Sequence, residues 1–307
     1  MVPLLRIPHL LALAFACVSI AQAQPRAKHV LVVSIDGGNP DEMAKAEMPT
    51  WQRLLAEGAS SLKARTILPS KTLPSHTSML TGVDIARHGV DWNDFLPLRG
   101  AVKVTTAFEH LKALQPASSS ALFCGKIKFR HLWKSGSMQV FDCGGVYGDV
   151  PVPASEEKKL VEAKVVAQRA AQHLTQAKPT LCFVHLPDAD TAGHRHGWGS
   201  PEQMQAFARC DQALAQLLEA LKAAGMLEQS VLIVSADHGG KNKNHFDPIA
   251  EDIHIPWLAW GQGVRRGAKL NDGIMTYDTC ATALWLLDAL PADADLDGVP
   301  VRAAFEP

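Results

Sequence analysis

His29-Val30-Leu31-Val32-Val33-Ser34-Ile35-Asp36 reads as a short buried strand that ends on a carboxylate. Two further apolar runs end the same way, Leu181 to Pro187 leading into Asp188 and Asp190, and Val231 to Ala236 leading into Asp237. Apolar runs without polar alternation, separated by helical stretches, are what strands covered on both faces of a parallel sheet show. Ligands in such folds gather outside the carboxyl ends of the strands, so these carboxylates are expected to share one edge. Histidines accompany them: His194 follows Asp190 by four residues, His238 adjoins Asp237, and His245 lies in the Gly/Lys/Asn-rich loop beyond. Hard carboxylates mixed with neutral imidazoles hold zinc while leaving a coordination position for substrate, which points to a hydrolytic metal centre.

The 307 residues, 47% of them hydrophobic, can bury one large core, and a single α/β domain over 24–307 is expected. Met1 to Ala23 carries an early Arg6, an apolar stretch from Leu10 to Ile20 and the small ending Ala21-Gln22-Ala23. It reads as a secretory signal peptide cleaved before Gln24, which implies a periplasmic or secreted protein with no membrane span after cleavage. Arg6 leaves with this leader, so 30 basic residues fall by one against 31 acidic ones, and no polyanion-binding face is indicated. The mature cysteines are Cys124, Cys143, Cys182, Cys210 and Cys280; Cys182 sits inside an apolar strand, and Cys124 with Cys143 is the first candidate for a disulfide. Thiolate zinc is not expected, because there is no Cys-x-x-Cys pair.

Chemistry is densest at Leu68-Pro69-Ser70-Lys71-Thr72-Leu73-Pro74-Ser75-His76-Thr77-Ser78-Met79-Leu80-Thr81-Gly82. Pro74 suits the first turn of a helix and Gly82 its end, so Thr72 and Ser75 lie near a helix amino terminus, where free amides and the dipole favour a phosphoryl group. Other helices are expected over about 48–57, 155–176, 201–224 and 277–290, a helix and strand within 107–123, and a strand at Pro256 to Trp260. Lys126 and Lys128 follow the strand ending at Phe123, on the same edge as the aspartates. The stretch between Gly82 and Pro187 carries no large inserted cap, which implies an open site.

Asp36, Lys71-Thr72-Leu73-Pro74-Ser75-His76, Asp190-Thr191-Ala192-Gly193-His194, Asp237-His238-Gly239-Gly240 and His245, in this order, resemble the alkaline phosphatase superfamily, nearest its type I phosphodiesterase/nucleotide pyrophosphatase branch. The likeness runs from about His29 to Val301. It implies an α/β fold with a mostly parallel central sheet and helices on both faces. It also implies two zinc ions, one held by Asp36, Asp237 and His238 and meeting the nucleophile Thr72, the other held by Asp190, His194 and His245. Asn93, within Val90-Asp91-Trp92-Asn93, takes the place of a phosphoryl-binding asparagine. The partner implied is a small phosphate ester or phosphoanhydride, attacked through a covalent phosphothreonine.

Several residues compete for these roles. Asp188 rivals Asp190, but the spacing to His194 places Asp190 on the same side of a helical turn. His254 rivals His245, because Phe246 stands where the family has glycine. Ser70 and Ser75 rival Thr72 as hydroxyls but suit capping or pocket lining, and His76 suits packing beneath the nucleophile helix. His88, His185 and His196 read as surface or core residues. A lysine at 126 or 128 reaching the phosphoryl group would offset the extra charge of a monoester, so a phosphomonoesterase or phosphonate hydrolase is the alternative. A non-catalytic relative binding a phosphorylated ligand or metal is the third reading, and the retained Thr72 speaks against it.

Overall fold

A computed structural model describes residues 26–143, 146–148, 150, 151, 155, 160–271 and 273–307. The leader Met1 to Ala23 lies outside them. Among the described residues no helix is long and apolar enough to cross a membrane.

Strand β1 (His29–Ile35) lies parallel between β6 (Leu181–Leu186) and β7 (Ser230–Ser235), so the three apolar runs are neighbours in one sheet. The sheet has eight strands in the order β2-β8-β7-β1-β6-β3-β4-β5, adding β2 (Ala59–Arg65), β3 (Ser120–Cys124), β4 (Val140–Cys143), β5 (Val146–Tyr147) and β8 (His254–Gly261). From β7 through β4 the pairing is parallel, while β8, β2 and β5 join antiparallel at the two edges.

Alternate residues of β1 serve two cores. Val30 and Val32 face one with Leu73, Phe108 and Leu284, whereas Leu31, Val33 and Ile35 face the other with Trp51, Phe207 and Leu214. Burial on both faces explains the unbroken apolar run. The second core is covered by α1 (Pro40–Met43), α2 (Pro49–Glu57), α6 (Ala163–Ala177), α7 (Asp188–His196) and α8 (Pro201–Ala223). The first is covered by α3 (Thr72–Thr81), α5 (Ala107–Leu114) and α10 (Asp278–Leu286), and α4 (Ile85–His88) and α9 (Ala250–Ile253) are single turns in connecting loops.

Two expected helices are shorter. The one expected from 155 begins at Ala163, where the Asp188 carboxylate accepts the Ala163 N–H at 2.7 Å; most of 152–159 lies outside the described residues. The last ends at Leu286, with Asp288 in the left-handed region at φ 53°. Cys124 and Cys143 are directly opposed in the parallel β3–β4 register as free buried thiols.

Candidate metal and nucleophile site

Each carboxylate enters the site from the end of a strand. Asp36 follows β1, Asp237 follows β7 after Ala236, and Asp190 sits in the first turn of α7 just beyond β6. All three are buried. The chain after Asp36 turns through Gly37 at φ 73°, and a Cβ there would come within 2.9 Å of the Asp190 backbone, so only glycine lets these two segments approach. The Gly37 N–H donates to Asp237 Oδ1 at 3.1 Å, which aims the other oxygen inward.

Four atoms then converge without hydrogen-bond partners: Asp36 Oδ1, Asp190 Oδ1, Asp237 Oδ2 and His238 Nε2. From His238 Nε2 the three oxygens lie at 3.5, 3.8 and 3.3 Å. Donors at about 2 Å around a tetrahedral zinc stand roughly 3.3 Å from one another, so the arrangement fits an ion. A buried polar atom without a partner is costly, and a cation would satisfy these four together. Next to them, His194 Nε2 lies 3.3 Å from Asp190 Oδ1 and 3.2 Å from His245 Nε2, which is 3.9 Å from the same oxygen. Asp190, His194 and His245 form one candidate metal group; Asp36, Asp190 and His238 form another. Asp190 thus takes part in both, where the resemblance placed it in one, and Asp237, which the resemblance placed with Asp36 and His238, is in neither group. His254, at the start of β8, belongs to neither group.

The imidazoles are oriented from behind. Nδ1 of His194 faces the Lys243 carbonyl at 3.0 Å, that of His238 the Gly239 carbonyl at 2.9 Å, and that of His245 the Ser70 carbonyl at 2.5 Å. With Nδ1–H donating to a carbonyl, each ring turns the lone pair of Nε2 toward the centre. Ser70 also donates its hydroxyl to the His245 carbonyl, which explains that hydroxyl without a nucleophilic role. Burial first, then neighbouring His238, pushes the His245 pKa down to about 3, keeping the ring neutral as a ligand must be.

Thr72 opens α3 and is buried, and the helix closes on Gly82 in the left-handed region at φ 74°. One turn on, His76 donates Nδ1–H to the Thr72 carbonyl at 2.8 Å, accepts from Ser34 Oγ at 2.8 Å, and lies 3.5 Å from Asp237 Oδ2. It therefore packs between α3 and the carboxylates. The amide cradle is smaller than a free helix terminus would offer: Leu73 N–H donates to Asn93 Oδ1 at 2.9 Å, Pro74 has no N–H, and Ser75 N–H bonds to Lys71 O. Of the first turn only the Thr72 amide is left for an anion, joined by the Asn93 side-chain NH2 that this cap orients.

Asp188 stands apart. It accepts Ala163 N–H and, at 3.0 Å, Arg209 Nε, joining α6 and α8. Asp188→Ala is expected to lower the melting temperature by about two degrees, since a helix-capping carboxylate is worth about 1 kcal/mol and a chain of this size loses about 0.6 kcal/mol per degree, while metal content stays unchanged. Lost metal with unchanged melting would assign Asp188 to the site instead.

Three contributors carry no local signal in the sequence for the part they play. His185 of β6 donates Nε2–H to Asp36 Oδ2 at 2.7 Å and accepts Gly125 N–H at Nδ1. Trp198 donates to the Gly37 carbonyl at 3.1 Å and meets the His194 ring edge-on. Lys126, expected at the phosphoryl group, instead places Nζ 2.6 Å from Asp36 Oδ2 and 2.5 Å from Asp190 Oδ2. Burial works to raise the Asp36 pKa, but Lys126 and His185 outweigh it and hold this carboxyl well below the usual range. Asp237 lies well above it, because burial and then the charge of Asp36 both oppose ionisation. Lys128 is half-buried beside this group, its amine pushed down to about 8 by burial first and by Lys126 next.

A family model described as type I phosphodiesterase / nucleotide pyrophosphatase matches residues 30–260. The chain is 23% identical over 226 residues to human ectonucleotide pyrophosphatase/phosphodiesterase family member 5, covering 70% of this chain and 46% of that protein. It is 26% identical over 200 residues to venom phosphodiesterase 2 of Crotalus adamanteus, covering 62% and 24%. The chain thus spans less than half the length of these relatives. The solved structure of murine ectonucleotide pyrophosphatase/phosphodiesterase 5 in complex with AMP superposes with a TM-score of 0.68 at 17% identity, covering 92% of this chain and all of that one, and shows the shared fold.

Proposed function

The chain belongs to the type I phosphodiesterase / nucleotide pyrophosphatase family, and we propose that it is an exported, zinc-dependent phosphodiesterase or nucleotide pyrophosphatase that works through a covalent phosphothreonine at Thr72. The observation that carries this reading is the gathering of four buried, unpartnered donor atoms on Asp36, Asp190, Asp237 and His238, with His194 and His245 beside them and the start of the Thr72 helix joined to them through His76.

Asp36, Asp237 and His238 would hold the ion nearest Thr72, and Asp190, His194 and His245 the other. Two such ions supply Lewis-acid stabilisation of the attacking and leaving oxygens of an in-line displacement and lower the pKa of a hydroxyl bound to them. The chain's own residues do the rest. Thr72 gives up its hydroxyl proton to solvent as Oγ attacks phosphorus and forms the P–O bond, while one ester or anhydride oxygen departs with its electron pair and the other substituent stays on the phosphoryl group. The Asn93 amide and the Thr72 N–H meet charge on the non-bridging oxygens, and the positive end of α3 adds to it. Water then attacks the phosphothreonine, and Thr72 leaves with its hydroxyl restored. His76 and Ser34 fix the backbone of the nucleophile from beneath.

The AMP in the related murine structure favours a nucleotide among possible substrates. Phosphomonoester or phosphonate hydrolysis, the alternative, rests on Lys128, which remains beside the site once Lys126 is engaged with the carboxylates. The mature protein, cleaved before Gln24, is expected to contain close to two zinc ions by metal analysis, to lose activity in chelator, and to hydrolyse bis-p-nitrophenyl phosphate faster than p-nitrophenyl phosphate. Full activity in EDTA would sink the metal reading, and the reverse substrate ratio would move the assignment to a monoesterase.

A further inference from the structure

The ammonium of Lys126 touches one carboxylate from each of the two proposed half-sites, and it touches the oxygens that face away from the unpartnered cage. Asp36 Oδ2 and Asp190 Oδ2 contact Nζ, whereas Asp36 Oδ1 and Asp190 Oδ1 have no partner and lie toward His238. The lysine is only 12% exposed and its backbone is pinned on several sides. Its carbonyl accepts the Cys143 thiol at 3.0 Å and the Cys124 thiol at 3.7 Å, while Gly125 bonds to His185 Nδ1 and to Val161 N. At Gly125 a Cβ would run into the Val161 carbonyl, so the turn that delivers the lysine is seated closely against its neighbours.

Resting on the metal reading above, we propose that Lys126 is a built-in counter-cation, a positioning residue that holds Asp36 and Asp190 in ligating orientation before metal arrives and then shares those carboxylates with the ions. The buried carboxylates of Asp36 and Asp190 repel one another and resist burial without a cation, so a site that is formed when empty needs a resident positive charge beside them. A lysine there is unlike the ordinary outer partner of a metal ligand. His185, on the same oxygen of Asp36, is neutral and orients it with no charge penalty, and loss of such a partner weakens metal binding roughly 10–100-fold. An ammonium orients the carboxylate too, but it also repels a dication that shares it. The two outer partners of Asp36 therefore predict opposite signs.

The experiment measures melting temperature with and without zinc, and zinc affinity by chelator competition, on the full mature chain. Lys126→Met, which keeps length and loses charge, is expected to melt well below wild type in chelator. Zinc should recover most of the deficit, and zinc affinity should rise about tenfold or more; His185→Phe should lower that affinity. Lys126→Arg, which keeps the charge, guards against simple misfolding and should give a zinc-induced shift close to wild type. A Lys126→Met chain that folds only with zinc supports the proposal. An equal loss of melting temperature with and without zinc makes Lys126 a packing residue and overturns it. Unchanged zinc affinity with a selective loss of monoester hydrolysis also overturns it, placing the lysine on substrate. A wild-type protein that takes up no zinc overturns the metal reading itself, a result these variants cannot mimic.

Discussion

Thr72→Ala is expected to retain the metal content of the wild type and to lose about three orders of magnitude or more in turnover, equivalent to about 4 kcal/mol of transition-state stabilisation. The substitution removes one hydroxyl and leaves its surroundings intact. The backbone carbonyl still accepts from His76, the Asn93 cap on Leu73 is untouched, and alanine suits the first helical turn. Thr72→Ser should keep part of the activity, because a hydroxyl remains to be ionised. Acid quenching during turnover should trap the substrate's phosphoryl group, with the substituent that has not departed, on the wild-type and serine chains and none on the alanine chain. An unimpaired Thr72→Ala protein would mean that water attacks phosphorus directly.

Asp237→Asn should be comparably severe by a different route. The asparagine oxygen can still accept the Gly37 N–H, so the local turn is kept, but an amide NH2 replaces the inward carboxylate oxygen. Metal analysis should fall from close to two ions to close to one, and activity should drop about a thousandfold or more. The metal-free chain should nevertheless melt no lower than wild type, because burial and the charge of Asp36 disfavour ionised Asp237 in the empty site. A variant that keeps two ions and its activity would remove Asp237 from the ligand set.

Residues that announce themselves through their neighbours in the chain are legible from the sequence alone. Asp237-His238, the Asp190 to His194 spacing and the Thr72-x-Pro start of a helix each carry local geometry, and the strand runs around them are long enough to place. His185 is not legible in that way, because its role depends on register: in β6 it stands opposite Ser34 of β1 and Cys124 of β3, and only that pairing brings its ring to Asp36. The sequence puts Lys126 on the correct edge, but whether an ammonium turns to substrate or to carboxylates is decided by charges 64 and 90 residues away in the chain. A helix terminus overstates the amide cradle for a similar reason, since the acceptor that occupies Leu73 N–H comes from Asn93, in a loop with no periodic pattern. Strand β2 gives no sequence signal because Ala59-Ser60-Ser61-Leu62-Lys63-Ala64-Arg65 lacks an apolar run; it is an edge strand with an irregularity between Ser61 and Ala64.

Of the three aspartates proposed as ligands, Asp36 and Asp237 leave the adjacent parallel strands β1 and β7, while Asp190 enters from the first turn of α7 just beyond their neighbour β6, and neighbouring strands in any sheet lie about 4.8 Å apart. The sheet therefore acts as a ruler. The spacing of the carboxylates is inherited from a backbone repeat that packing and hydrogen bonding hold constant, and no loop has to encode it. Apart from the turns that carry Asn93 and Lys126, the loops between Gly82 and Pro187 can then lengthen, shorten or change composition, altering which leaving group would fit, while the spacing set by the strands stays the same.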